Sequence, residues 1–380
     1  MRRRLVFLIR DLGFGGAQRQ LATLVRALAA DKAFEPHVVA FYDGALREDL
    51  EKAGVTVHCI EKLHRWDLLG FAFRLVATLR RIRPELVHGY LAEANLMSTL
   101  ARPFCRNPVI VWGIRDSQSD ADQWGILGKL SFRLNAILSS TPRGIIANSN
   151  AGRQWYRQRG YPMDDEDFRV IANGIDTSRF RPRADSAILR RNLGLPSEAP
   201  VVGIIGRLNP IKDHTTFLEA AARISVDMPQ TRFLVMGSGP DDYTHALREC
   251  AKRVGIEDQV DWSAARQDLE NVYPALDVLV SSSSFGEGFS NVIAEAMSCA
   301  VPCVTTNVGD SAALTAGTGW TCEPGDSNGL AAGILQILRM APAERAELGQ
   351  TARNRIESEF TIDRLAAQTT DALLAWLPPQ

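Results

Sequence analysis

Thirteen short apolar runs alternate with longer segments in which apolar residues recur at helical spacing, and this alternation constrains the fold more than any other feature. Seven runs lie in the first half, at 4–9, 37–41, 55–59, 86–88, 109–112, 144–148 and 169–171. Six follow, at 201–205, 232–236, 260–262, 278–281, 301–305 and 319–321. A strand that is apolar along its whole length must be covered on both faces, and strand–helix alternation supplies helices on either side of a parallel sheet. Between the two series runs the turn-rich stretch Asn173-Gly174-Ile175-Asp176-Thr177-Ser178-Arg179-Phe180-Arg181-Pro182, which leads to a charged helix over Ser186–Asn192. The expected fold is therefore α/β, with two Rossmann-like, doubly wound parallel-sheet domains facing across a cleft, where open sheets place their ligands. A length of 380 residues suits two such domains. The expected boundaries are 1–180 and 181–360, with the junction lying between 175 and 198. The last segment, 361–380, reads as a helix carrying Leu365, Leu373, Leu374 and Trp376, which packs either on the second domain or back on the first.

The 43 basic and 44 acidic residues give a formal net charge of −1. Phosphate-backbone binding needs clustered excess Lys and Arg, so nucleic acid is not an expected partner. The six cysteines, at 59, 105, 250, 299, 303 and 322, form no CxxC pair and read as reduced residues of a cytosolic protein. The five apolar residues after Met-Arg-Arg-Arg are too few for a signal peptide core or a membrane span. The expected location is cytoplasmic, with the inner face of a membrane as an open alternative. Basic amphipathic segments at 73–83 and 129–143 read either as contacts to an anionic membrane or as helices on the first sheet with a solvated basic face.

Segment 284–306 carries the most chemistry. Glu287 and Glu295 lie eight positions apart across a turn marked by Gly286 and Gly288, followed by a helix that Ser290 or Asn291 can cap. A helix N-terminus offers free N–H groups and partial positive charge, which suits a phosphate. Carboxylates beside an anion site are repelled by the anion and more readily accept hydrogen bonds from hydroxyls. A ligand with phosphates in the middle and hydroxyl-rich groups on both sides is a nucleotide-sugar.

Other motifs fall at predicted strand ends. Gly206-Arg207 and Lys212 follow strand 201–205 and offer a planar fork and a point charge, a pair suited to a diphosphate. The Gly13-Phe14-Gly15-Gly16-Ala17-Gln18 loop lets the backbone approach a ligand at a helix start. Gln18 stands at the third glycine position of a dinucleotide fingerprint, and although Asp43 is suitably placed, that reading is weakened. Gly237 lies in Met236-Gly237-Ser238-Gly239-Pro240, either lining the nucleotide side of the site or forming a plain turn. Arg266 reaches a nucleobase or, with Gln267-Asp268, merely caps the helix at Leu269. In the first domain His88 ends a strand and reads as structural or functional, while Arg115 and Asp116 either face a second substrate or pair with each other. No P-loop and no His-Glu-x-x-His are present, and Gly325-Asp326-Ser327-Asn328-Gly329 reads as a helix-capping turn. The Asp120/Asp122 and Asp165/Asp167 pairs are the weak candidates for a metal site. The expectation is a site without metal or cofactor, in which Arg207, Lys212 and helix amides neutralise phosphate.

Together these motifs resemble the retaining family 4 glycosyltransferases of GT-B architecture. Glu287–Glu295 matches the family's Glu-x7-Glu motif, supported by Glu295-Ala296-Met297, Val301-Pro302, Gly309-Asp310, Gly317-x-Gly319, the 173–180 junction and Gly15-Gly16-Ala17. The resemblance implies that Arg207 and Lys212 hold the donor diphosphate and that Glu295 binds the ribose hydroxyls. It also implies that Glu287 contacts the donor sugar, and that the amides of Phe289, Ser290 and Asn291 contact its phosphate or sugar. Gly15, Gly16, Gly237 and Arg266 complete the expected donor set; His88, Arg115 and Asp116 form the expected acceptor side. Four positions depart from the family pattern: Gln18 for Glu, Tyr90 for a second His, Arg115-Asp116 where a His is frequent, and Ala300 for the Gly before Val-Pro.

The reading that follows is a hexosyltransferase. It would move a sugar from a nucleotide-sugar, expected to be a UDP-sugar, to a glycan or lipid-linked acceptor in bacterial surface polysaccharide biosynthesis. The competing readings are a sugar-nucleotide epimerase or hydrolase of the same fold and a non-catalytic nucleotide-sugar-binding partner.

Overall fold

The computed structural model describes residues 2–31, 33–63, 67–117, 126–162 and 164–379, with the side chains of Ile126 and Leu127 left aside. The chain forms two compact units, one built from the residues up to Gly174 and those from Ile362 onward, the other from Ile175–Thr361. The division at Gly174/Ile175 and Thr361/Ile362 replaces the expected boundaries at 180/181 and 360/361.

Unit 1 contains strands β1 (Arg3–Asp11), β2 (Phe34–Tyr42), β3 (Thr56–Cys59), β4 (Leu86–Tyr90), β5 (Val109–Ile114), β6 (Gly144–Ala147) and β7 (Phe168–Val170). They pair in parallel in the order β3-β2-β1-β4-β5-β6-β7. The connecting helices are α1 (Gly16–Ala30), α2 (Arg47–Lys52), α3 (Leu68–Ile82), α4 (Ala92–Ala101), α5 (Ile126–Leu138) and α6 (Asn150–Arg157). Alternation along β1 sends Leu5, Phe7 and Ile9 to one face and Val6 and Leu8 to the other. The first face packs on α1, whose Leu21, Leu24, Val25 and Leu28 form one apolar stripe. The second packs on α3, α4 and α6 through Phe71, Leu75, Leu79, Ala94 and Trp155.

Unit 2 begins with α7 (Ser186–Asn192) and continues β8 (Val201–Ile205), α8 (His214–Asp227), β9 (Arg232–Met236), α9 (Asp241–Arg253), β10 (Val260–Ser263) and β11 (Val278–Ser281). Then come α10 (Asn291–Ser298), β12 (Cys303–Thr306), α11 (Ser311–Thr315), β13 (Gly319–Cys322), α12 (Ser327–Leu338) and α13 (Pro342–Glu359). Its parallel sheet has the order β10-β9-β8-β11-β12-β13. In both sheets the strand order reverses direction beside the first strand of the unit, which is where open sheets form ligand sites. Strand β12 starts two residues later than expected because Pro302 has no N–H to donate; its carbonyl instead accepts from Leu279 N at 3.0 Å.

The final helix, α14 (Ile362–Trp376), belongs to unit 1 and packs on α1, burying Leu365, Leu373 and Trp376. Full burial of such side chains contributes about 1.5–3 kcal/mol each. Gln20 of α1 fixes the end of the first crossing, with Gln20 Nε2 donating to Gly174 O at 3.1 Å and Gly174 N donating to Gln20 Oε1 at 3.2 Å. On the unit 2 side, Ile175 N donates to Phe360 O at 2.8 Å and Ile175 bridges Thr361. The six cysteines are unbridged. Among the described residues no helix is long and apolar enough to cross a membrane.

Candidate functional site

The loops leaving β8 and β11 are stitched together. In the first, Asn209 Oδ1 accepts from Lys212 N at 3.3 Å across a single 3-10 turn at Pro210–Lys212. Asp213, with φ of 45°, then caps α8 by accepting from Thr216 N (3.2 Å) and Thr216 Oγ1 (2.6 Å). In the second, Ser282 Oγ lies 2.9 Å from Lys212 O and 3.0 Å from Asp213 O, and Ser284 N donates to Ile211 O at 2.9 Å. These bonds hold Lys212 against Glu287: Lys212 Nζ pairs with Glu287 Oε1, which also accepts from Ser283 Oγ at 2.9 Å. Burial pushes the Glu287 carboxyl up, but Lys212, Ser283 and the charge on Arg207 outweigh it and hold the carboxyl below its usual range. Arg207 itself is exposed and makes no ion pair with any described residue.

The start of α10 faces the same loop. Ser290 occupies the N-cap position and makes no side-chain cap bond there. No carboxylate stands in the first turn of α10. Phe289 is buried with its ring against Phe360, 5.3 Å between centroids, and anchors the turn. Asp310 N donates to Gly288 O at 3.1 Å, so the Gly309-Asp310 loop closes on the Glu287 turn. Glu295, expected to face a ligand, is buried in α10 and accepts from Tyr273 OH at 2.7 Å.

Gly237 is required by the backbone. A β-carbon there would lie 1.8 Å from Gly206 O, because Gly206 N and Leu208 N donate to Met236 O and Ser238 O. Arg266 forms a two-bond pair with Asp268, at 2.9 and 2.7 Å, and lines a shallow recess with Arg183, Asp185 and Asn271. The pair holds the Asp268 carboxyl at about 2. The structure therefore groups Arg207, Lys212, Glu287, Phe289, Ser290 and Asn291 in one set of stitched loops, with Gly237 beside them through Gly206. Arg266 is taken by its neighbour.

Gly15 and Gly16 lie in unit 1, where Gly15 is the N-cap of α1 without a side-chain cap. Gln18 folds back instead, donating to Asp11 Oδ1 at 3.0 Å. His88 is fully buried, both ring nitrogens lack partners, and burial holds it neutral, well below its usual range. Arg115 and Asp116 do not pair with each other. The Arg115 guanidinium lies 4.2 Å over the Tyr90 ring with Nε and Nη1 buried and unpartnered, while Asp116 Oδ1 accepts from Tyr156 OH at 2.9 Å. Burial raises the Asp116 carboxyl above its usual range.

Of the two carboxylate pairs, Asp165 is taken by Arg153 and Arg157 and Asp167 by Arg143, so that pair is not free to hold a metal. Asp120/Asp122 lie outside the described residues. Among the described residues no group of three or more His, Cys, Asp or Glu is arranged for a metal ion. Asp326 caps α12 through Gly329 N at 2.9 Å, the turn expected there. Sequence reasoning missed Ser282 and Ser283, although a run of four serines ending a buried strand was a usable signal. It also missed Tyr273 and His214, which carry no motif. His214 is fully buried beside Lys212, and burial with that charge lowers it to about 4.

Comparison with known proteins agrees with this architecture. Residues 14–179 match the family Glycosyltransferase Family 4, and residues 199–340 match Glycosyl transferases group 1. The D-inositol 3-phosphate glycosyltransferase 2 of Catenulispora acidiphila is 32% identical over 228 residues, covering 56% of this chain and 52% of its own. The N-acetyl-alpha-D-glucosaminyl L-malate synthase of Bacillus anthracis is 26% identical over 206 residues, covering 54% and 52%. The chain thus spans about half the length of the curated relatives it matches. In fold, a crystal structure of Anabaena Alr3699/HepE in complex with UDP and glucose superposes with a TM-score of 0.85 at 24% identity, covering 98% of this chain and 100% of that one. The two parallel-sheet α/β units are those of the GT-B glycosyltransferases.

Proposed function

We propose that this chain, of the glycosyltransferase family 4 and GT-B type, transfers a sugar from a nucleotide-sugar, a UDP-sugar, to a glycan or lipid-linked acceptor in polysaccharide biosynthesis, with retention at the transferred carbon. The observation that carries the reading is the exposed Arg207, without an ion pair among the described residues, beside the Lys212–Glu287 pair at the start of α10. When the bond from the sugar to the diphosphate breaks, negative charge grows on the departing oxygens. Cations and helix amides fixed there stabilise that charge more than the ground state, so they act on kcat. Glu287 would accept hydrogen bonds from the donor sugar while holding Lys212 in place. The site needs no bound metal or cofactor in this reading, because Arg207 and Lys212 supply the positive charge. The UDP and glucose held by the Anabaena neighbour support the donor class.

A second observation bears on the acceptor. A guanidinium buried without a carboxylate partner is costly unless something anionic meets it. Among the described residues Arg115 has no carboxylate partner, which favours an acceptor bearing phosphate or carboxylate. The inositol phosphate and malate in the relatives' names support this choice.

The test is turnover of UDP-sugars with anionic and neutral acceptors. Arg207→Met, Lys212→Met and Glu287→Gln are each expected to lower kcat by about 10²–10³. Arg115→Met is expected to raise KM for the anionic acceptor selectively. Undiminished transfer in the first three variants refutes the site, and release of free sugar without transfer favours the hydrolase reading.

A further inference from the structure

Helices α3, α4 and α5 cover one face of the unit 1 sheet as neighbours, α3 against α4 and α4 against α5. The inner side of α3 is apolar, as a packed helix requires, but its outer side is apolar as well. Leu69 is 88% exposed and Phe73, one turn on, 76%. Arg80 and Arg81 end the helix. The same pattern recurs on α5, where Leu130, Leu134 and the 72% exposed Ile137 alternate with Lys129 and Arg133. Between them Leu100 and Phe104 are exposed, and Arg80 Nε donates to Phe104 O at 2.6 Å, joining the α3 end of the patch to the α4 end.

Basic residues outnumber acidic ones on this face. Neither α3 nor α5 contains an acidic residue, and residues 62–143 hold twelve basic and six acidic side chains in a chain of net charge −1. Of the acids near the layer, Asp67 is engaged by Arg74 and Glu93 by Arg10, while Glu61 stands exposed near Phe73 and Arg74. A solvated helix normally turns polar residues outward, so large apolar side chains on successive outer faces mark a surface that meets something apolar. A second copy of the same face would bring like charges together. An anionic lipid surface would not: it offers phosphates to the arginines and an acyl boundary to the leucines and phenylalanines. A shallow cavity of about 400 Å³, lined by Ile60, Glu61, Leu63, Phe73, Arg74 and Ala77, opens beside the α3 stripe.

We propose that the outer face of α3, α4 and α5 docks on an anionic bilayer. Leu69, Phe73 and Ile137 enter the headgroup boundary, and Arg80, Arg81, Lys129 and Arg133 pair with lipid phosphates. The face rests on unit 1 alone and stands whether or not the proposed transfer activity is correct.

The experiment is flotation of the full chain with phosphatidylcholine vesicles, with and without phosphatidylglycerol. The wild type is expected to float with the phosphatidylglycerol vesicles, less so as salt rises. The Leu69→Glu/Phe73→Glu double variant is expected to lose about tenfold or more in partitioning, and Arg80→Glu/Arg81→Glu similarly. Leu130→Glu/Ile137→Glu repeats the test on a different helix, and Val226→Glu, exposed in unit 2, is expected to float like the wild type. Circular dichroism checks that each variant is folded. No flotation of the wild type overturns the proposal, as does flotation unchanged in all three double variants. A wild-type dimer that Leu69→Glu/Phe73→Glu converts to monomer, without vesicle binding, overturns it in favour of self-association.

Discussion

Ala300 stands at a backbone position built for glycine, and replacing it should stabilise the protein. Helix α10 ends with Ala300 N donating to Met297 O at 2.9 Å and Val301 N to Ala296 O at 3.0 Å. Those two bonds define a Schellman ending, whose residue after the cap adopts the left-handed conformation, and Ala300 has φ of 58°. A β-carbon in that region costs about 1–2 kcal/mol. Ala300→Gly removes this strain but gives back roughly 0.4–1 kcal/mol, because glycine makes the unfolded chain more mobile. The net gain is about 1 kcal/mol, or a rise of about 2–4 °C in Tm for a unit of this size. Scanning calorimetry of the full chain reads it directly. The converse variant sharpens the test: a β-carbon on Gly349 would lie 2.1 Å from Ala300 O, so Gly349→Ala should lower Tm by pushing the same turn. An unchanged or lower Tm in Ala300→Gly would show that the Ala300 methyl contributes packing that outweighs its strain, and would refute the reasoning.

Three further outcomes follow from groups already described. His214 is held neutral with its pKa lowered to about 4, while the unfolded chain takes up a proton near 6.5, so stability is full above 6.5 and falls as pH drops toward 4. The loss reaches on the order of 3 kcal/mol, and His214→Asn should flatten the pH dependence of the urea midpoint across that window. Gln20→Ala leaves Gly174 N and O buried without partners and should cost about 1–3 kcal/mol, seen as faster hydrogen exchange at Gly174. Prolonged EDTA treatment should leave sugar transfer unchanged, since the proposed site uses side-chain cations; loss of activity restored by a divalent ion would refute that part of the reading.

Much of the architecture was legible because buried parallel strands are written as uninterrupted apolar runs. All thirteen runs became strands, and their errors lie at the ends, where Pro302 delays β12. The unit boundary was harder to read, since it depends on the Gln20–Gly174 and Ile175–Phe360 bonds, which join residues far apart in sequence. In the candidate site, Arg207, Lys212 and Glu287 could be grouped because each sits just past a strand end, where parallel strands bring their loops together. Glu295 could not be placed so easily, because helical spacing says which side of α10 it occupies but not that Tyr273 waits there. Arg115 and Asp116 were open to pairing on paper. Consecutive residues leaving a strand point to opposite sides, and they found Tyr90 and Tyr156 instead.

The two crossings between the units have a consequence for biosynthesis. Unit 2 is an insertion: its ends, Ile175 and Phe360–Thr361, are hydrogen-bonded side by side, so it can close on itself once residue 361 has left the ribosome. Unit 1 cannot be completed so early. The apolar stripe of α1 waits for Leu365, Leu373 and Trp376, which are made only after the whole of unit 2. The sheet of unit 1 is therefore made before unit 2 and finished after it, and during that interval it shows a bare apolar face of the kind that chaperones bind. Truncation before α14 should leave unit 2 intact and turn unit 1 into a chaperone client.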